Sequence, residues 1–189
     1  GQVWSAKDVA AALVAAGRRL REHGFDPLFI APSNADMAGA FEYFDSMIEA
    51  DPRVLEYLSV LSYHRYRGVS DEALRGIGSR VEQYGVGAAM LEHIGSGHRN
   101  LHADLEVGLA SMWQQFVIAW PGPDDNGGAY LRVLEPESDD PRVVFGSRSV
   151  LLAHYFQAAR RGAVRIGATS DNDRVEPLAF INPDGTHAV

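Results

Sequence analysis

Cysteine is absent from all 189 residues, and lysine occurs once, at Lys7. The first absence removes disulfides, thiolate metal sites and a cysteine nucleophile, without fixing a compartment. The second leaves arginine to carry nearly all the positive charge, which reads as base composition before function. Positive charge is itself scarce: the formal net charge is −8, which argues against nucleic acid or an anionic membrane as the main partner. No apolar run is long enough to span a bilayer, and the N-terminal residues lack the charged-then-apolar pattern of a signal segment. That last absence counts for little, since Gly1 need not be a natural start. There is no internal repeat and no low-complexity tract.

What is present is an ordinary globular composition, 46% hydrophobic, enough for a real core. The organising stretch is Gly87-Ala88-Ala89-Met90-Leu91-Glu92-His93-Ile94-Gly95-Ser96-Gly97. A short apolar run between glycines suits a strand buried on both faces, as in a parallel sheet. It stops abruptly at a carboxylate and an imidazole. Glutamate is almost never fully buried without a partner, and the carboxyl ends of parallel strands are where α/β folds place their chemistry. Glu92 is therefore the residue to explain.

The flanking chain alternates helix and strand. Ser5 reads as an N-cap with Asp8 three on, close to a capping box, for a helix with Val9, Leu13, Ala16 and Leu20 on one face, stopping near Gly24. Leu28–Ala31 reads as a strand closed by Pro32-Ser33-Asn34, and Met37, Phe41, Phe44 and Ile48 as a helical stripe ending near Asp51-Pro52. Leu58–Tyr63 is the next strand, running into His64-Arg65-Tyr66-Arg67-Gly68. Ser70 caps a helix with Leu74, Ile77, Val81 and Tyr84 inward. After the Glu92 strand, Leu101, Leu105, Leu109 and Met112 predict a fourth helix and Phe116–Trp120 a fourth strand. Four such units in series imply a parallel sheet. Their strand ends carry Ser33-Asn34, His64 with Tyr66, Glu92-His93 and Trp120, like the top face of a (β/α)₈ barrel. Four strands are half a barrel, so the choice lies between an open doubly wound sheet and a barrel lacking its first half.

After Trp120 the texture changes. Pro123–Gly128 is a loop; Ala129–Leu134 and Arg142–Phe145 read as strands, and Ser149–Arg160 as a helix. Ala163–Thr169, Leu178–Ile181 and Thr186–Val189 alternate like sheet, with Asn182-Pro183-Asp184-Gly185 as a hairpin turn. A second strand stopping at Val189 predicts a truncated β-domain.

Several chemical patterns fail on context. Gly85-Val86-Gly87 precedes a strand instead of following one, and Met90 occupies the third glycine position of a dinucleotide fingerprint. His93, His98 and His102 have no carboxylate at ligand spacing, so they read as solvated or capping histidines. Ser96 lacks the full nucleophile-elbow pattern and reads as a turn. Trp113 and Trp120 are core residues by default, with Trp120 favoured by its strand-end position. His64 is evenly balanced between structure and function. For Glu92, helix capping or a salt bridge to Arg65 or Arg99 is the structural alternative, and position favours function.

Tyr63-His64-Arg65-Tyr66, Met90-Leu91-Glu92 and Trp113-Gln114-Gln115 resemble the family 30 glycoside hydrolases. So do Gly127-Gly128, Arg161-Gly162-Ala163-Val164-Arg165-Ile166 and Phe180-Ile181-Asn182-Pro183-Asp184-Gly185. No one motif is very specific; the ordered set is. The resemblance implies the second half of a (β/α)₈ TIM barrel over residues 1–122 and part of a β-sandwich over 123–189, with the barrel's last helix at about 149–160. It implies a retaining O-glycosidase acting on a carbohydrate substrate without metal or organic cofactor, and leans towards a secreted or extracytoplasmic enzyme. Glu92 matches the family's nucleophile, His64 and Tyr66 its sugar-subsite pair, and either Trp113 or Trp120 its strand-end tryptophan. The family's acid/base glutamate sits in an Asn-Glu-Pro motif that this chain lacks. The expectation is a C-terminal piece beginning at Gly1-Gln2-Val3-Trp4, downstream of that motif, and inactive without the N-terminal half of the same polypeptide. The rivals are a non-catalytic carbohydrate-binding protein and an open-sheet α/β protein.

Overall fold

A computed structural model describes residues 4–189. Gly1 to Val3, where the expected segment starts, lie outside the described residues. Contacts divide the chain into two compact units, residues 1–93 with 103–116 and residues 94–102 with 117–189.

The first unit is built from helix–strand repeats. Helix α1 (Ala6–Glu22) starts at the expected capping box, in which Ser5 accepts from the Asp8 N–H and the Asp8 carboxylate accepts in return from the Ser5 N–H. Strand β1 (Phe29–Asp36) leads into α2 (Met37–Ala50), capped by Asp36, whose carboxylate takes the N–H groups of Ala38 and Gly39. A 3-10 turn, Pro52–Glu56, then delivers β2 (Leu58–Arg67). Ser70 caps α3 (Asp71–Tyr84), which stops at Gly85 in the left-handed conformation, where glycine carries no Cβ penalty. Next come β3 (Gly87–Glu92), α4 (His98–Glu106) and β4 (Ala110–Trp113).

All three strand pairs are parallel, in the order β1-β2-β3-β4. Each strand therefore lies beside the one before it in sequence. A doubly wound sheet would reverse direction at a switch point, whereas barrel strands add consecutively. The core between sheet and helices holds Met37, Phe44, Met47, Val54, Leu61, Leu74, Ile77 and Met90, all fully buried. Side chains of this size contribute about 1.5–3 kcal/mol each on complete burial.

Two expectations are corrected here. The leucine stripe through Leu109 and Met112 is not one helix. Helix α4 ends at Glu106, the N–H groups of Val107 and Gly108 both close back on the Ala103 carbonyl, and Leu109 takes a positive φ of 53°. Sheet pairing begins at Ala110. In consequence Phe116–Trp120 is not the fourth parallel strand. Val117–Pro121 (β5) pairs with β6 (Ala129–Leu134) in another sheet, in the second unit.

In that unit β5 and β6 run parallel although only residues 122–128 join them. Seven residues can span about 23–25 Å, enough for an extended return along a short strand. The sheet is completed by β7 (Arg142–Phe145), antiparallel to β6. After α5 (Ser149–Ala158), β8 (Val164–Ile166), β9 (Ala179–Ile181) and β10 (His187–Ala188) form an antiparallel sheet. The β9–β10 hairpin turns on the expected residues. Asn182, buried, bonds Ala158, Arg160 and Thr186, tying the turn to the end of α5.

Candidate active site

Glu92 closes β3 half-buried, with the imidazole-bearing His64 as its register partner on β2. Two residues on along β2, Tyr66 donates its phenol proton to Glu92 Oε1 at 2.9 Å. The Tyr66 ring also meets His64 and His93 edge-on, with centroids 6.1 and 5.3 Å apart. Within β1, Ser33 Oγ lies 3.0 Å from His64 Nε2. Burial holds the His64 imidazole below its ordinary value of 6.5, and the nearby Glu92 charge only partly offsets that. A carboxylate with one oxygen engaged by a phenol, beside an imidazole disposed to neutrality, forms a polar cluster at the carboxyl ends of three adjacent strands.

Strand alternation explains what is left out. Side chains of a strand point to opposite faces in turn, so Tyr63 and Arg65 face away from His64 and Tyr66. Both bond the fully buried Asp104 on α4: Tyr63 Oη donates to Oδ1 at 2.8 Å, and the Arg65 guanidinium pairs with the same oxygen. Trp113 Nε1 donates to Asp104 Oδ2 at 2.8 Å. Burial pushes the Asp104 carboxyl up, against the pull of Arg65 and its donors, and raises the Tyr63 phenol well above 10.0, with the Asp104 charge adding to it.

Of the residues singled out from sequence, the structure therefore gathers Glu92, His64 and Tyr66. Trp113 directs its N–H to Asp104, and Trp120 lies on β5 of the second unit. Arg65, an alternative partner for Glu92, is committed to Asp104 instead. His102, weighed as a metal ligand, places Nδ1 2.9 Å from Tyr155 Oη. Among the described residues no three histidine or acidic side chains converge as metal ligands would.

Two features escape sequence reading. Gln114 clasps β3 next to Glu92, its N–H on the Met90 carbonyl and its side chain on that of Leu91 at 2.7 Å. Asp104 looks from sequence like a polar residue on an amphipathic helix, and nothing local marks it as buried. The alternation of Tyr63 and Arg65 against His64 and Tyr66 was the available signal.

Consecutive parallel strands with a phenol-bonded carboxylate at their carboxyl ends define a barrel-type α/β half with a strand-end polar site. Residues 162–189 match the family model described as the glycosyl hydrolase family 30 beta sandwich domain. Over 98% of its length the chain superposes on SrfJ from Salmonella typhimurium, with a TM-score of 0.77 and 18% identity. The catalytic domain of GH30 xylanase C from Talaromyces cellulolyticus matches over the same share, with a TM-score of 0.74 and 12% identity. The chain spans 45% and 43% of those two chains. No curated protein matches it in sequence. The resemblance to family 30 is borne out, by the β-sandwich segment in sequence and by the solved structures in fold. The fold is the second half of a (β/α)₈ barrel followed by part of a β-sandwich.

Proposed function

We propose that this chain carries the nucleophile-bearing part of a retaining O-glycoside hydrolase. The observation that supports the reading most directly is the Tyr66 hydroxyl on Glu92 Oε1 at the ends of adjacent parallel strands. That bond fixes one carboxylate oxygen and leaves the other to attack the anomeric carbon of a bound sugar. A covalent glycosyl-enzyme forms as the leaving-group oxygen is protonated by a second carboxylic acid, which then activates the water that releases the sugar. Retention requires that second carboxyl about 5–5.5 Å from the first. Asp36, a carboxylate at the end of β1, is spent capping α2, so the acid/base is assigned to chain outside these residues, in the N-terminal half of the same polypeptide. This agrees with a chain spanning less than half of its structural neighbours. His64 and Tyr66 orient Glu92. The carbohydrate is the partner, and the reaction needs no metal or organic cofactor.

The test is covalent trapping. A slow 2-fluoro-glycoside, incubated with the hydrolase that contains this chain, should leave its label on the peptide bearing Glu92. Label on any other residue overturns the assignment.

A further inference from the structure

We propose that Asp104 is a positioning residue that fixes the end of β2 so that Tyr66 meets Glu92. The inference rests on the glycosidase reading only for its catalytic consequence. Asp104 lies on α4, the helix that follows the Glu92 strand, and its carboxylate reaches both strands that flank β3. Oδ1 takes the Tyr63 phenol and the Arg65 guanidinium from β2, and Oδ2 takes the Trp113 indole N–H from β4. A carboxylate paired with a guanidinium only accepts, so the direction of all three bonds is fixed. Asp104 and Arg65 are both buried.

Backbone pairing alone does not set this part of β2. Its register with β3 is regular from Val60↔Gly87 to Tyr63↔Met90 and then slips to His64↔Glu92, with Leu91 the extra residue. Its register with β1 steps from Asn34↔Tyr63 to Asp36↔Arg67, again with a shift. Both ladders are therefore disrupted just past Tyr63, where the strand presents His64 and Tyr66. Tyr63 and Arg65 bracket His64, and Arg65 directly precedes Tyr66. A carboxylate that grips the first two on one face holds the alternate pair on the other. Stability does not account for the charges. Desolvating an ion pair costs about as much as its attraction returns, and apolar residues of similar volume often serve a core as well. They would fill the space without directing the strand. Asp104 thus acts on Glu92 through Arg65, Tyr63 and Tyr66 without touching it.

In the full-length parent protein, carbodiimide-driven amidation of the Glu92 peptide reads the Tyr66 contact, because a donor on a carboxylate opposes the protonation that activation requires. Tyr66→Phe sets the scale, a rise in labelling rate of about twofold to tenfold for one hydrogen bond. Arg65→Met combined with Asp104→Asn removes both charges and leaves an amide able to accept from Trp113 and donate to Tyr63. This double variant should melt close to the native protein, yet label Glu92 at a rate approaching that of Tyr66→Phe. Tyr63→Phe removes one tie and no charge, and should raise labelling by a smaller factor; it decides alone if the double variant does not fold. Val54→Ala truncates the core in the turn at the opposite, amino end of β2. It should lower the melting temperature and leave labelling unchanged. Native labelling rates in the double variant and in Tyr63→Phe overturn the proposal, as does an equal rise in Val54→Ala. On an activated aryl glycoside the double variant should lose kcat by a similar factor while KM moves less. The expected labelling in a parent protein without glycosidase activity upholds the positioning role and overturns the functional reading instead.

Discussion

A histidine next to a carboxylate ordinarily gains a proton, because the negative charge stabilises the imidazolium. His64 goes the other way, since burial outweighs the Glu92 charge and holds its value below 6.5. The consequence for stability has a definite sign. The unfolded chain takes up a proton near 6.5 and the native chain only at lower pH. Stability is therefore complete above the unfolded value and is lost as pH falls through the depressed native one. Glu92, Ser33 and Tyr66 are the charged and polar groups set against the ring. Urea midpoints taken between about pH 8 and about pH 5 should fall towards acid more steeply in the native sequence than in His64→Gln, which lacks the titrating ring. Parallel pH profiles for the two proteins would show that His64 does not resist protonation.

Elements show why some of this was readable from sequence. The capping box at Ser5, the cap at Ser70, the α3 stop at Gly85 and the Asn182–Gly185 turn use local chemistry that tertiary context did not override. Glu92, His64 and Tyr66 were legible because a strand-end position follows from where an apolar run stops. The α4–β4 passage was not. Leu101, Leu105 and Leu109 keep helical spacing across Gly108, and that spacing outvoted the glycine as a stop signal. Ala110–Trp113 is too short and mixed to announce a strand, while the more apolar Phe116–Trp120 run belongs to another sheet, with Ile118 73% exposed. The stop at Gly108 also governs packing, because the Val107 carbonyl just before it presses on α3. A Cβ built on Gly78 would lie 2.5 Å from that oxygen. Alanine favours a helix interior over glycine by about 1 kcal/mol, whereas overpacking against rigid backbone costs about 1–3 kcal/mol. Gly78→Ala should therefore destabilise the first unit, read as a lower urea midpoint at unchanged slope. A midpoint that rises would mean α3 can draw back from the Val107 carbonyl.

At the scale of the whole molecule, the barrel half carries two strands with a neighbour on one side only, β1 and β4. Each leaves a row of parallel-strand N–H and C=O groups open to another chain. Closed barrels abolish such edges by joining the first strand to the last, and four consecutive strands cannot. The apolar surface points the same way: Leu28 is 71% exposed just before β1, and Ile30 on β1 and Met112 on β4 are also exposed. In the second unit Phe145 on β7 and Val164 on β8 are 70% and 64% exposed, on short sheets of three strands each. Single exposed apolar residues are normal, but runs of them beside unpaired strand edges favour association. The 189-residue chain alone should therefore bind an apolar dye and elute from a sizing column as a concentration-dependent mixture larger than 20.6 kDa. On the proposed reading it should also leave aryl glycosides intact, because with the acid/base elsewhere the leaving group would depart unprotonated, a loss on the order of 10²–10⁴ in rate. On the proposed reading, co-expression with an N-terminal half that supplies the remaining strands should suppress both dye binding and association. A chain that is monomeric, dye-silent and active by itself would overturn the assignment of the missing carboxyl and of the missing strands together.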